Sequence, residues 1–249
     1  MARQKGIIKL KGTIGDISFY KTQDGHLARE KGGVDASRIA NDPAFVRTRE
    51  NGAEFGASAA SGKLVRDAFR SMMMSAADGR VTSRLTKVMS QIKNFDGVSV
   101  RGKRVVQVGI GTPSGKAALQ GFNFNKRAIL GSLLFKPYAI TSGTGVITIN
   151  GLVPVNDIAY PAGATHVSIK NAFADVDFGG GLYDVQISNT VNLPINGTST
   201  NVILTPPAVP SGAGIKLNLL MVEFFQEVNG HQYSLKNGAY NALCVVEVQ

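Results

Sequence analysis

The 249-residue chain contains no tryptophan, one cysteine and three histidines. A lone Cys244 excludes an intrachain disulfide framework and any multi-cysteine zinc or iron–sulfur site. His26, His166 and His231 lie in separate segments with no second histidine or glutamate at ligand spacing, and read as surface or turn residues. No apolar run approaches the roughly 20 residues that cross a bilayer. Lysines interrupt the apolar residues of the first eleven positions, which makes them a poor secretory signal. These shortages lead us to expect a cytoplasmic protein, or one in an assembled particle, with no membrane insertion.

Recognisable catalytic patterns are equally scarce. No serine sits in a Gly-x-Ser-x-Gly elbow. Gly109–Lys116 invites comparison with a phosphate-binding loop, but Ala117 stands where the magnesium ligand belongs and Pro113 withdraws a backbone donor. This stretch reads as a linker, and Gly179–Gly181 as a tight loop. Asp175 and Asp177 alternate along one strand, yet two carboxylates are too few for a cation site. Cys244, flanked by apolar residues, reads as buried filler. The expectation is a non-enzymatic chain without cofactor or metal.

What the sequence does carry is charge at one end. The net charge is +10 from 27 basic and 17 acidic residues. Residues 1–136 hold 24 basic and 10 acidic side chains, whereas residues 137–249 hold 3 and 7, or +14 followed by −4. Such polarity suits either a polyanion or a basic surface on one copy meeting an acidic surface on the next.

Periodicity divides the chain further. Ile17 and Phe19 share one face of a strand, and Asp24-Gly25 signals a hairpin returning over His26–Glu30. Two or three short strands make a marginal sheet that needs a cover. Residues 31–42 read as an extended connector, and Asp42-Pro43 as a helix start. Leu64, Val65, Ala68, Phe69, Met72 and Met73 form one helical stripe, and Val81, Leu85, Val88, Met89 and Ile92 a second. Lys63, Arg66, Arg70, Arg80, Arg84 and Lys87 lie opposite, so a helical hairpin with a basic outer face is expected. Past residue 96, short strands alternate with glycine- and proline-rich turns. Candidates are 104–109, 128–137, 145–149, 166–173, 182–188, 199–204, 216–228, 232–234 and 242–248. The chain therefore reads as α+β. A basic β-hairpin plus helical region (1–110) and a linker (111–125) precede an antiparallel β-sandwich, immunoglobulin-like or jelly-roll-like (126–249).

The stretch Lys11-Gly-Thr-Ile-Gly-Asp-Ile-Ser-Phe-Tyr20 with its continuation to Gly32, the segment Asp42-Pro-Ala-Phe-Val-Arg-Thr-Arg-Glu-Asn-Gly-Ala-Glu-Phe-Gly56 and the closing Ala242-Leu-Cys-Val-Val-Glu-Val248 resemble an uncharacterised family of small proteins from Bacteroidota. That resemblance implies no activity and transfers no site residue. The combination of a small sheet, an Arg/Asn-bearing segment and a β-domain also resembles phage or contractile-particle structural proteins, as an analogy of fold.

Three functions are weighed. A structural protein forming a homo-oligomer or filament through its amino-terminal region and β-domain explains the missing chemistry, the marginal sheet and the charge polarity. A nucleic-acid-associated protein would use the basic helices, although no base-reading motif or exposed aromatic spacing accompanies them. Carbohydrate binding by the sandwich would rely on Tyr138, Tyr160, Tyr183, Tyr233 or Tyr240 in the absence of tryptophan.

Overall fold

The computed structural model describes residues 1–30 and 32–249, the side chains of Lys236 and Asn237 excepted. The chain divides into two compact units, Met1–Arg49 and Glu50–Gln249.

In the first unit, β1 (Ala2–Arg3), β2 (Gly12–Ile14), β3 (Ile17–Thr22) and β4 (Gly25–Glu30) form an antiparallel sheet in the order β1-β4-β3-β2. The hairpin turns on Gln23-Asp24, one residue earlier than expected, because Gly25 at φ 113° pairs with Thr22. The connector is not extended throughout. Asp35 caps a short helix α1 (Ala36–Asn41), its carboxylate accepting the Ser37 N–H at 2.8 Å. Asp42 then caps a 3-10 turn at Pro43–Phe45, which leads directly into α2 (Val46–Ala68).

The second unit has three layers. Helices α2, α3 (Arg70–Ala76), α4 (Val81–Ile92), α5 (Val106–Ile110) and α6 (Pro113–Leu119) cover one face of a central antiparallel sheet. That sheet comprises β7 (His166–Asp177), β8 (Leu182–Ile187), β9 (Val191–Pro194), β11 (Ile215–Val228), β12 (His231–Ser234) and β13 (Ala242–Val248). Its opposite face packs on a three-stranded sheet of β5 (Ala139–Thr141), β6 (Val146–Leu152) and β10 (Thr200–Leu204). The alternation of β11 supplies both cores. Leu217, Leu219 and Met221 face the helices, while Leu220, Val222 and Phe224 face the second sheet. On β13 a register shift opposite Asn218/Leu219 switches the pleat, so Val248 joins the helical side with Leu243 and Val245. The architecture is the expected α+β arrangement of a small sheet, a helical region and a curled antiparallel sandwich.

Four local expectations are corrected. Residues 111–125 are not a linker: Thr112 caps α6, Pro113 occupies its first turn, and Leu119, Phe122 and Phe124 are buried in the core shared by helices and sheet. The Phe124 N–H donates to the Leu243 carbonyl at 2.8 Å, so this segment closes the outer edge of β13. The boundary expected there accordingly gives way to a single unit that holds both helices and β-domain. Residues 104–109 contain a helical turn rather than a strand, since Val106, Gly109 and Ile110 turn inward at helical spacing. Residues 128–137 hold a 3-10 turn, Leu130–Ser132, and one bridge from Leu134 to Ile158.

Candidate functional site

The two units differ most in burial. The second unit encloses Phe69, Phe124, Phe173 and Phe224 completely, each such ring worth about 1.5–3 kcal/mol of transfer free energy. Among the described residues of Met1–Arg49, none is buried. Ile7 and Ile8 stand in open solvent, and Ile14 and Ile17 are 63% and 46% exposed. The loop carrying Ile7 and Ile8 is nevertheless held in shape. The Gln4 side-chain amide donates to the Leu27 carbonyl at 2.9 Å, and its oxygen accepts the Leu10 N–H at 2.8 Å. The loop thus presents two apolar side chains to solvent.

The structure separates the six basic residues expected to form one outer face. Lys63, Arg70, Arg80 and Lys87 are exposed, and Lys63 lies 3.8 Å from Asp67 one helical turn on. Arg66 is half-buried. Arg84 points inward. Its guanidinium donates to the carbonyls of Asn123 and Phe124 at 2.7 and 2.8 Å, pairs with Asp78 at 2.6 Å and lies over the Phe122 ring. Burial would raise the Asp78 carboxyl pKa, but N–H groups of Lys126 and Arg80 together with Arg84 hold it below the ordinary value. Arg84 is therefore a structural clamp between α4 and the segment that closes β13. Arg84→Ala is expected to cost about 2–4 kcal/mol by stranding two carbonyls and a carboxylate. Lys63→Ala, Arg70→Ala and Lys87→Ala should each stay within about 0.5 kcal/mol in the same denaturant titration.

Two carboxylates that the sequence reading did not single out organise the segment after α4. Glu54, on the inner face of α2, accepts both Arg104 Nε (2.9 Å) and Nη2 (2.8 Å), the Gly102 N–H (2.8 Å) and the Lys93 ammonium. The Arg104 hydrogen bonds chiefly, with help from Lys93, hold its carboxyl far below the usual carboxylate range despite burial. Asp96 accepts the N–H groups of Val98, Ser99 and Val105 at 2.9–3.0 Å. Burial alone would raise its pKa; these donors bring it down to about 2. The available signal was spacing: Glu54, Ser58, Gly62 and Val65 form the buried stripe of α2. Only the last of the four is apolar, so hydropathy passes over them.

The remaining candidates divide as follows. Tyr160 and Tyr240 line one shallow hollow of about 260 Å³ with Arg127, Tyr138 lines another, and Tyr183 and Tyr233 are exposed on β8 and β12. An open groove of about 540 Å³ runs beside α2, walled by Ala57, Ala60, Leu64, Val106 and Phe178. Cys244 is buried, and burial pushes its thiol up to about 12, which removes thiolate character at neutral pH. Asp175 pairs with Lys216 at 2.9 Å, and Asp177 accepts the Gly179 N–H. Among the described residues no three of His, Cys, Asp and Glu gather where they could hold a metal, and no helix is long and apolar enough to cross a membrane. No family model, curated protein or solved structure matches the chain.

Proposed function

We propose that this chain is a non-enzymatic structural protein that self-associates through its amino-terminal unit. The observation that carries the reading is the absence of any buried residue among those described in Met1–Arg49, in a segment that still forms a four-stranded sheet. Isolated short-stranded sheets are marginal in water because backbone ordering costs about 1–2 kcal/mol per residue and only apolar burial offsets it. A unit of this size that only half-buries Phe19, Tyr20 and Leu27 gains stability from whatever covers them further. The exposed isoleucines support a protein surface as that contact.

The test is the light-scattering mass of nuclease-treated full-length protein across a concentration series, in low and in high salt. Refractive index should supply concentration, since six tyrosines and no tryptophan absorb weakly at 280 nm. A discrete multiple of 26.3 kDa, or a filament, that persists without nucleic acid is the expected result. A 26.3 kDa species at every concentration and salt would sink the reading. Oligomers that vanish on nuclease treatment would transfer the basic helices to a nucleic-acid role, with the steep salt dependence that phosphate contacts impose.

A further inference from the structure

Strand register fixes which side chains share each face of the amino-terminal sheet. Ile14 pairs with Ile17, Ile17 with Glu30, Phe19 with Ala28, Lys21 with His26, and Ala2 with Ala28. Directly paired residues in antiparallel strands project to the same side. One face therefore carries half-buried Phe19 and Ala28 with Ala2 across its middle, Lys21 and half-buried His26 at the end by the β3–β4 turn, and the exposed Ile14 and Ile17 with Glu30 at the other. Asp16, in the β2–β3 turn, lies at the Glu30 end. A shallow hollow of about 600 Å³ opens at the Glu30 end of the sheet, lined by Met1, Asp16, Ile17, Ala28 and Glu30 together with Arg29 of the opposite face. The other face carries Tyr20 and Arg29, which stack on each other.

Resting on the self-association reading above, we infer that this face is an isologous contact that packs on the same face of a second copy about a two-fold axis. The argument is charge order. The axis lies between the sheets, perpendicular to the strands and above the Phe19–Ala28 pair. Each strand of the second copy then runs end for end over its equivalent. Phe19 meets Phe19 at the centre. Lys21 of each copy comes over the Ile17–Glu30 end of the other, and Glu30 over the Lys21–His26 end. Packed sheets lie about 10 Å apart, within reach of a lysine and a glutamate extending toward each other. The contact completes the burial of Phe19 and covers Ile14 and Ile17, and the charged ends set the orientation. A parallel overlay would set Lys21 on Lys21 and Glu30 on Glu30, which charge repulsion disfavours.

The experiment exchanges these charges in the full-length chain. Lys21 and Glu30 are both exposed, so Lys21→Glu and Glu30→Lys leave the fold of the chain intact. Each variant alone places like charges at both ends of the contact, and its dissociation constant is expected to rise about tenfold or more. Mixing the two in equal amounts creates a heterodimer in which every Lys21–Glu30 contact is again of opposite sign. The wild-type mass should return in the mixture alone. Variants that keep wild-type association, or a mixture that stays dissociated, overturn this face as the contact and leave self-association by another surface standing. A wild-type chain that never associates removes the underlying reading and this inference with it.

Discussion

Replacing Glu54 with glutamine is expected to destabilise the second unit by about 3–5 kcal/mol, the range found when one partner of a buried ion pair is removed. The carboxylate is 2% exposed and is the common acceptor for Arg104, Lys93 and the Gly102 N–H. A glutamine amide offers one acceptor oxygen and turns its NH₂ toward cations that also donate, so at least one buried donor loses its partner. With about 2–4 °C per kcal/mol for a unit of this size, the melting temperature should fall by roughly 6–20 °C. Glu50→Gln is the control. Its partner Arg101 is largely exposed, and the pair sits where solvent screens it, so a loss of no more than about 1 kcal/mol is expected. Equal losses in the two variants would show that Glu54 is not the anchor of the segment after α4.

The same carboxylates set a pH dependence. Glu54 and Asp96 both titrate lower in the folded chain than their ordinary values of 4.5 and 3.8. A carboxylate with a depressed folded-state pKa stabilises above its unfolded pKa, and that stabilisation drains away as pH falls through the folded one. For Asp96 the window runs from about 4 down to about 2. Melting temperature should thus be flat with respect to these groups from pH 7 to 5 and drop steeply below 4. The deficit of Glu54→Gln against wild type should shrink across that same acid range, because wild type loses there what the variant never had.

Such polar anchors explain how much of this protein a linear reading can recover. The long strands past residue 166, β7, β11 and β13, are legible because their residues alternate between two apolar cores, as Leu219 and Leu220 do on successive positions of β11. The inner positions of α4 are legible because Val81, Leu85, Met89 and Ile92 repeat at helical spacing. The anchor end of α2 is not, since its inner stripe begins with a charged residue, a serine and a glycine whose fitness for burial depends on distant partners. Arg104 is 50 residues from Glu54 in sequence, and no local window contains both. The inward turn of Arg84 is hidden for the converse reason: helical spacing sets it opposite the apolar stripe, but the carbonyls that draw it inward belong to residues 123 and 124. The short strands β5 and β9 were missed because each is three or four residues long and only one edge of each is paired.

Glycine gives the sharpest case of the same residue meaning opposite things, and it yields the other large effect. Gly109→Ala is expected to cost at least about 3 kcal/mol or to prevent folding of the second unit. A Cβ at that position would lie 2.1 Å from the Ile92 carbonyl oxygen and 2.9 Å from its carbon. Both are backbone atoms at the end of α4, and no rotamer change can move them aside. Gly115 is equally tight, with a Cβ falling 2.0 Å from the carbonyl oxygen of Gly109. These glycines let α4, α5 and α6 touch backbone to backbone, which is why a Gly-rich stretch composed like a linker is a closely packed helical corner. Overpacking by one methyl in a site that cannot relax exceeds the usual 1–3 kcal/mol range. Gly52 and Gly56 lie exposed in the interior of α2 with nothing within 4 Å of a Cβ. There the substitution removes only the entropic cost of glycine in a helix, so Gly52→Ala and Gly56→Ala should each stabilise by about 0.5–1 kcal/mol. The denaturant midpoint should fall for Gly109→Ala and rise for Gly52→Ala and Gly56→Ala. A Gly109→Ala chain with wild-type stability would mean that α5 does not contact the end of α4 as described.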